Sequence, residues 1–323
     1  MNIRIALYEL AQKHALSADS IRQLFIAAKF NKEPTELKWW FVNGAAVLAA
    51  ALGGLGIIFW LAANWDTLGR TGRFALLQAT VLTMGLGAAA RPKLRAPLGL
   101  LALLCTGGLF AYFGQTYQTG ADAWQLFALW AALGLFLCLG ARSDVLWAPW
   151  VIVAMTALAL WTFAHSGNRW QVDSSGLAAH TIALLAAMAL VIGLSPALKR
   201  WTGAGVWAMR TAATFAVISM TLAAIGGLFN KPIAPQFLLA LILFAVAAVM
   251  LAQRAMFEIF ILSTVALGLN AMLVADLVRW LFDSSDGDFI GKLFIIGLAA
   301  TSMLAASVSA ITRLTRRYQA GGA

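Results

Sequence analysis

The chain has 323 residues, of which 62% are hydrophobic and only 11% charged, with a net charge of +10 and a mean hydropathy of +0.83. Soluble domains carry about 25% charged residues, so a water-soluble globule of this length is excluded. The basic excess is scattered over alternate short connections rather than gathered in one patch, which argues against nucleic acid as a partner.

Residues 1–38 precede the first long apolar run. Ile3, Leu7, Leu10 and Ala11 fall on one helical face, and Ile21, Leu24, Phe25 and Ala28 on another. Ser17 stands where an N-cap for the second helix belongs. The segment holds six basic and four acidic residues, too even a balance for a DNA-binding arm. It reads as a cytoplasmic two-helix hairpin that docks on the membrane or on another subunit, because its core is too small to be independent. A secretory signal would begin its apolar region much earlier, so none is expected.

A helix needs about 20 mainly apolar residues to cross the hydrocarbon. That criterion predicts ten spans: 41–62, 74–90, 98–113, 123–140, 145–164, 177–195, 211–229, 237–252, 258–280 and 292–311. The predicted fold is therefore an all-α integral membrane bundle over residues 39–312, followed by a basic cytoplasmic tail, 313–323. With both termini inside, seventeen Lys and Arg residues fall on the cytoplasmic side. Only Arg70, Arg73, Arg169, Lys231, Arg279 and Lys292 fall outside. This asymmetry favours an even number of spans. Similar lengths of the two halves allow a five-plus-five inverted repeat, although no shared motif marks one. Thirteen tryptophans suit the membrane–water boundary. Cys105 and Cys138 lie at different depths and read as small buried side chains, neither bridged nor metal-binding.

Catalytic signatures are missing: there is no glycine-rich phosphate loop, no His-rich metal spacing and no nucleophile elbow, so no cofactor is expected. His180 lies about one turn inside a span, where it either faces a cavity or makes a structural hydrogen bond; the second is the commoner role. The outer connections are richer. The first span ends in Asn64, Trp65 and Asp66, and the third leads into Gln115, Tyr117, Gln118 and Asp122. Such a density of amides, hydroxyls and aromatic rings suits a sugar, a peptide or a lipid headgroup. Structure alone also explains several of these residues: Asp122 with Gln125 matches a capping box, Asp66 can cap a short helix, and the aromatics suit the interfacial belt.

These residues carry a resemblance. Ala63-Asn64-Trp65-Asp66 and Gly114-Gln115-Thr116-Tyr117, continued by Asp122 and Trp130, resemble motifs of the bacterial predicted-membrane-protein family called domain of unknown function 2157. The resemblance spans roughly residues 1–140, hairpin included. It implies a place in the bacterial inner membrane and the topology above, and carries no activity with it.

Charges inside the spans are few. Asp276 with Arg279, and Arg254 with Glu258, are spaced to pair along a helix face. Gln78 and Asn270 are the buried polar candidates, best explained by interhelical hydrogen bonds. The acidic run Asp283 to Asp288 lacks the ligand spacing of a calcium loop. Two function classes fit. One is a transporter or a small-molecule- or headgroup-binding membrane protein; the other is a non-catalytic scaffold or accessory subunit of an envelope complex. A membrane enzyme fits less well, because no acid–base or metal constellation converges.

Overall fold

The computed structural model describes residues 10–14, 16–27, 35–64, 67–117, 120, 122–167, 172–284 and 289–320. Among the described residues every regular element is helical. Helix α1, Ala18–Ala27, begins at Ser17, whose Oγ accepts from Ser20 N at 3.3 Å, the N-cap read from the sequence. The remainder of the expected hairpin falls largely outside the described residues.

Among the described residues ten long helices follow: α2 Thr35–Ala63, α3 Arg70–Ala90, α4 Arg95–Tyr117, α5 Ala123–Ala141, α6 Asp144–His165, α7 Leu177–Gly193, α8 Val206–Leu228, α9 Pro235–Leu251, α10 Ile259–Ser284 and α11 Phe289–Ala320, with one helical turn, Lys199–Thr202, between α7 and α8. Among the described residues nine are long and apolar enough to cross a membrane by length and composition, α7 being counted with the turn Ser174–Gly176 that leads into it; α9, at 17 residues, is shorter. Its ends nevertheless reach opposite faces of the bundle. Gln236 in its first turn donates to Asp173 O, beside the start of α7, and Tyr318 Oη near the end of α11 donates to Ala252 O just past its last turn. Helices α4, α8 and α11 run past their predicted spans. Apolar runs mark only the stretch in hydrocarbon, whereas backbone hydrogen bonding continues into the interface.

The basic connections gather on one face. Arg95 donates to Gly140 O (3.4 Å), Arg142 to Arg200 O (2.7 Å) and Trp147 to Thr202 O (3.1 Å). On the same face Arg210 and Glu258 pair at 2.6 Å. The opposite, less basic face joins Tyr112 to Arg70 O at 3.3 Å, Asn230 to Val172 O, and Lys231 to Asp283 at 3.4 Å.

Two helices act as hubs. Helix α4 packs against α2, α3, α5 and α6, and α8 packs against α6, α7, α9 and α10. The neighbourhood therefore recurs at a spacing of four helices. An even shift preserves direction across the bundle, unlike the five-helix inverted spacing that the lengths allowed.

Several expectations change. Trp147 and Trp150, 2% and 6% exposed, sit in the core and not at an interface. Their rings cross edge-on at 5.2 Å, and Trp150 Nε1 donates to Ala131 O at 2.6 Å. A helix carbonyl that accepts a second hydrogen bond makes such burial affordable. Trp130 Nε1 uses Leu103 O in the same way, at 2.9 Å. Gln78 is exposed on α3, because it lies a third of a turn from the buried Leu77. Asn270 and Ser307 do join α10 to α11, at 3.0 Å. Arg279 pairs with Asp283 (3.3 Å) rather than with the exposed Asp276. The i,i+4 spacing along the same helix gives the better reach. Both cysteines are free and fully buried.

Candidate functional site

Of the residues nominated from sequence, Asn64 follows α2, Gln115 and Tyr117 lie in the last turn of α4, and Asp122 precedes α5. Asn64 follows the last turn of α2; its Nδ2 donates to Trp60 O at 2.9 Å, and its carbonyl accepts from Thr67 Oγ1 at 2.9 Å. Tyr117 closes α4, half exposed, with its ring 4.8 Å from Phe113 and the Arg70 guanidinium 5.6 Å above it. Gln115 is exposed. Asp122 occupies the N-cap position of α5 with extended backbone, but its side chain makes no capping bond, so the expected capping box is absent. Its position is still set by the backbone bond from Gln125 N to Asp122 O, 3.0 Å. Trp65, Asp66 and Gln118 lie outside the described residues. Beneath this surface Leu61, Leu77 and Tyr112 pack into a closed apolar cluster.

The corresponding place around the second hub is open. Helices α6, α7, α9 and α10 stand about α8 as α2, α3, α5 and α6 stand about α4. Between α6, α7, α8 and α9 lies a cavity of about 240 Å³. Met155 and Leu158 on α6, Leu184 on α7, Met220 on α8 and Leu239 on α9 make its walls mainly apolar. Leu222, 65% exposed, and the exposed Ser219 also line it, so it opens at the surface of α8 and is not sealed within the bundle.

The polar lining concentrates near the connection from α6 to α7. Asp173 organises that connection: its Oδ1 accepts from Ser175 N (2.9 Å) and Gly176 N (3.1 Å), capping the short turn Ser174–Gly176 that leads into α7. Gly176 O then bonds His180 Nδ1 at 2.8 Å. Gln236 is 3% exposed; its Nε2 donates to Asp173 O, while its Oε1 is buried without a hydrogen-bond partner. Both His180 and Gln236 line the cavity, with Thr162 and Ser166 beside them. Among the described residues no charged side chain lines it.

His180 was singled out by its position in the sequence, and it fills both roles considered there, a structural bond on Nδ1 and a place on a cavity wall. Gln236 was not singled out. The available signal was an uncharged amide directly after a proline at the start of an apolar run, a pattern that also describes an ordinary solvated first turn. Among the described residues no group of three or more His, Cys, Asp or Glu could hold a metal ion.

Residues 8–147 match the family described as "Predicted membrane protein (DUF2157)". The match runs from the N-terminal segment to the first turn of α6 and includes the nominated residues; α7, α8 and α9 lie beyond it. No curated protein matches the chain. No solved structure matches it.

Proposed function

We propose that this multi-pass membrane protein binds a small amphiphilic molecule in the cavity between α6, α7, α8 and α9. The observation that carries the reading is the cavity itself, about 240 Å³ of mainly apolar volume that opens at the bundle surface, with Thr162, Ser166, His180 and Gln236 toward the α6–α7 connection and Ser219 at its mouth. Binding sites combine apolar walls with a few convergent polar groups in this way. The cavity opens beside Ser219, nine residues before the end of α8, or about 13 Å along the helix. At that depth the surroundings are hydrocarbon, so a molecule entering there comes from the bilayer.

Thermal unfolding of the purified protein in detergent, with and without a panel of short-chain alcohols, amides and monoacylglycerols, tests the reading. At least one member should raise the melting temperature of the wild type and leave Ala183→Trp, which fills the cavity, unshifted. Equal shifts for both proteins across the whole panel would overturn it.

A second, surface reading is favoured by Arg70 above the half-exposed Tyr117 ring. A cation on an aromatic face beside exposed amides suits a phosphorylated headgroup. Asn64, Trp65, Asp66, Gln115, Tyr117, Gln118 and Asp122 form this proposed contact. Gln115→Ala and Tyr117→Ala should then weaken retention of anionic lipid during purification while leaving the folded yield unchanged. We also propose that both termini face the cytoplasm from the inner membrane, with residues 1–38 as a docking element.

A further inference from the structure

The structure assigns a polarity to the ligand. We infer that the cavity selects an uncharged molecule whose polar end donates hydrogen bonds, an alcohol or a primary amide on an apolar body, seated with that end toward Asp173–Gly176. The inference rests on the cavity reading above and adds the chemistry of what is recognised.

It follows from which atoms are already used. The partner of His180 Nδ1 is Gly176 O, a backbone carbonyl, which only accepts. The ring proton therefore sits on Nδ1, and in the neutral ring Nε2 is left as a lone-pair acceptor. The partner of Gln236 is likewise a backbone carbonyl, Asp173 O. This orients the carboxamide with its nitrogen toward Asp173 and leaves Oε1, buried and unpartnered, as an acceptor. Two lining side chains, one on α7 and one on α9, thus direct their donors to the α6–α7 connection and keep their acceptors.

Leaving a buried carbonyl oxygen unsatisfied carries the full desolvation penalty of that group, which a ligand hydroxyl or amide N–H relieves and an ether does not. Thr162 and Ser166 add no competing donor at this end, since their hydroxyls donate to Leu158 O at 2.8 Å and Phe163 O at 3.1 Å, and Ser219 stands at the mouth. An anionic head would meet two acceptors and, among the described lining residues, no cation. The carboxylate of Asp173 itself faces Ser175 and Gly176 and serves the turn.

Photolabelling of the detergent-purified full chain at pH 8 tests this with three probes sharing one ten-carbon diazirine tail: the alcohol, its methyl ether and the carboxylate. Peptide mass spectrometry reads label on α6, α7, α8 and α9. The alcohol should label the cavity walls at least about tenfold more efficiently than either analogue, the effect of one satisfied buried acceptor. Gln236→Leu should shrink that preference severalfold. If that variant fails to accumulate, His180→Phe removes the other acceptor and decides the same point. Equal cavity labelling by alcohol and ether, or preference for the carboxylate, overturns the assigned polarity and leaves the cavity reading standing. Failure of all three probes to label these helices above the level seen in Ala183→Trp overturns the cavity reading and this inference with it.

Discussion

The carboxylate of Asp144, at the start of α6, caps α8 across 61 residues of sequence by accepting from Gly205 N at 2.5 Å. Its second oxygen accepts from Trp207 N at 3.0 Å, so two of the orphan donors at the α8 N-terminus are satisfied by one side chain. A negative group there is also favoured by the helix dipole. Asp144→Ala should destabilise the bundle by about 0.5–2 kcal/mol, and Asp144→Asn by less, because the amide oxygen still accepts. Urea or thermal unfolding in detergent measures both. An alanine variant as stable as the wild type would mean that water replaces the cap.

Gly107 on the α4 hub allows Trp130 of α5 to approach: a Cβ at position 107 would lie 2.3 Å from Trp130 Cζ2. The ring cannot retreat without losing its bond to Leu103 O. Gly107→Ala should therefore cost about 1–3 kcal/mol, the range for an overpacked core. Gly56, with nothing near its Cβ position, serves as the control. Comparable losses for Gly107→Ala and Gly56→Ala would show that helix flexibility, and not the indole contact, is being measured.

Arg210 and Glu258 tie α8 to the start of α10, with side chains 25% and 21% exposed. Glu258 Oε2 also accepts from Ile261 N at 2.6 Å, so the same carboxylate caps α10. Glu258→Ala should thus cost more than Arg210→Ala, by about 0.5–2 kcal/mol for the cap. Glu258→Gln should recover most of the cap and little of the pair. A double-mutant cycle on melting temperature separates the two contributions, and equal penalties for the two alanine variants would contradict the dual role.

The proposed topology makes its own forecast. Reporters fused after residues 95, 142, 200 and 254 should report cytoplasm, and those after 119, 169, 231 and 286 the exterior. The charge asymmetry between the two faces motivates it. Reversal of two or more of these connections would defeat the alternation of ten crossings.

The sequence by itself determined the membrane class and the positions of the apolar helices, and its loop charges motivate the proposed sidedness. Those properties are additive over short windows: hydropathy decides what can enter hydrocarbon, and loop charge decides sidedness. It also located Ser17 as a cap and Asn270 as an interhelical donor, because each follows from local spacing and polarity. Tertiary structure alone decided the rest. Trp147 and Trp150 went inside because carbonyls of other segments, Thr202 O and Ala131 O, were in reach of their N–H groups. Arg279 found Asp283, and Glu258 found Arg210, once helices had packed. The cavity was not legible either. It arises where four helices converge without a Tyr112 to close the space, and Gln236 became distinctive only when the fold set its nitrogen against Asp173 O and left its oxygen without a donor. Sequence patterns report what one helix prefers, whereas a void and an unpaired atom are properties of several helices placed together.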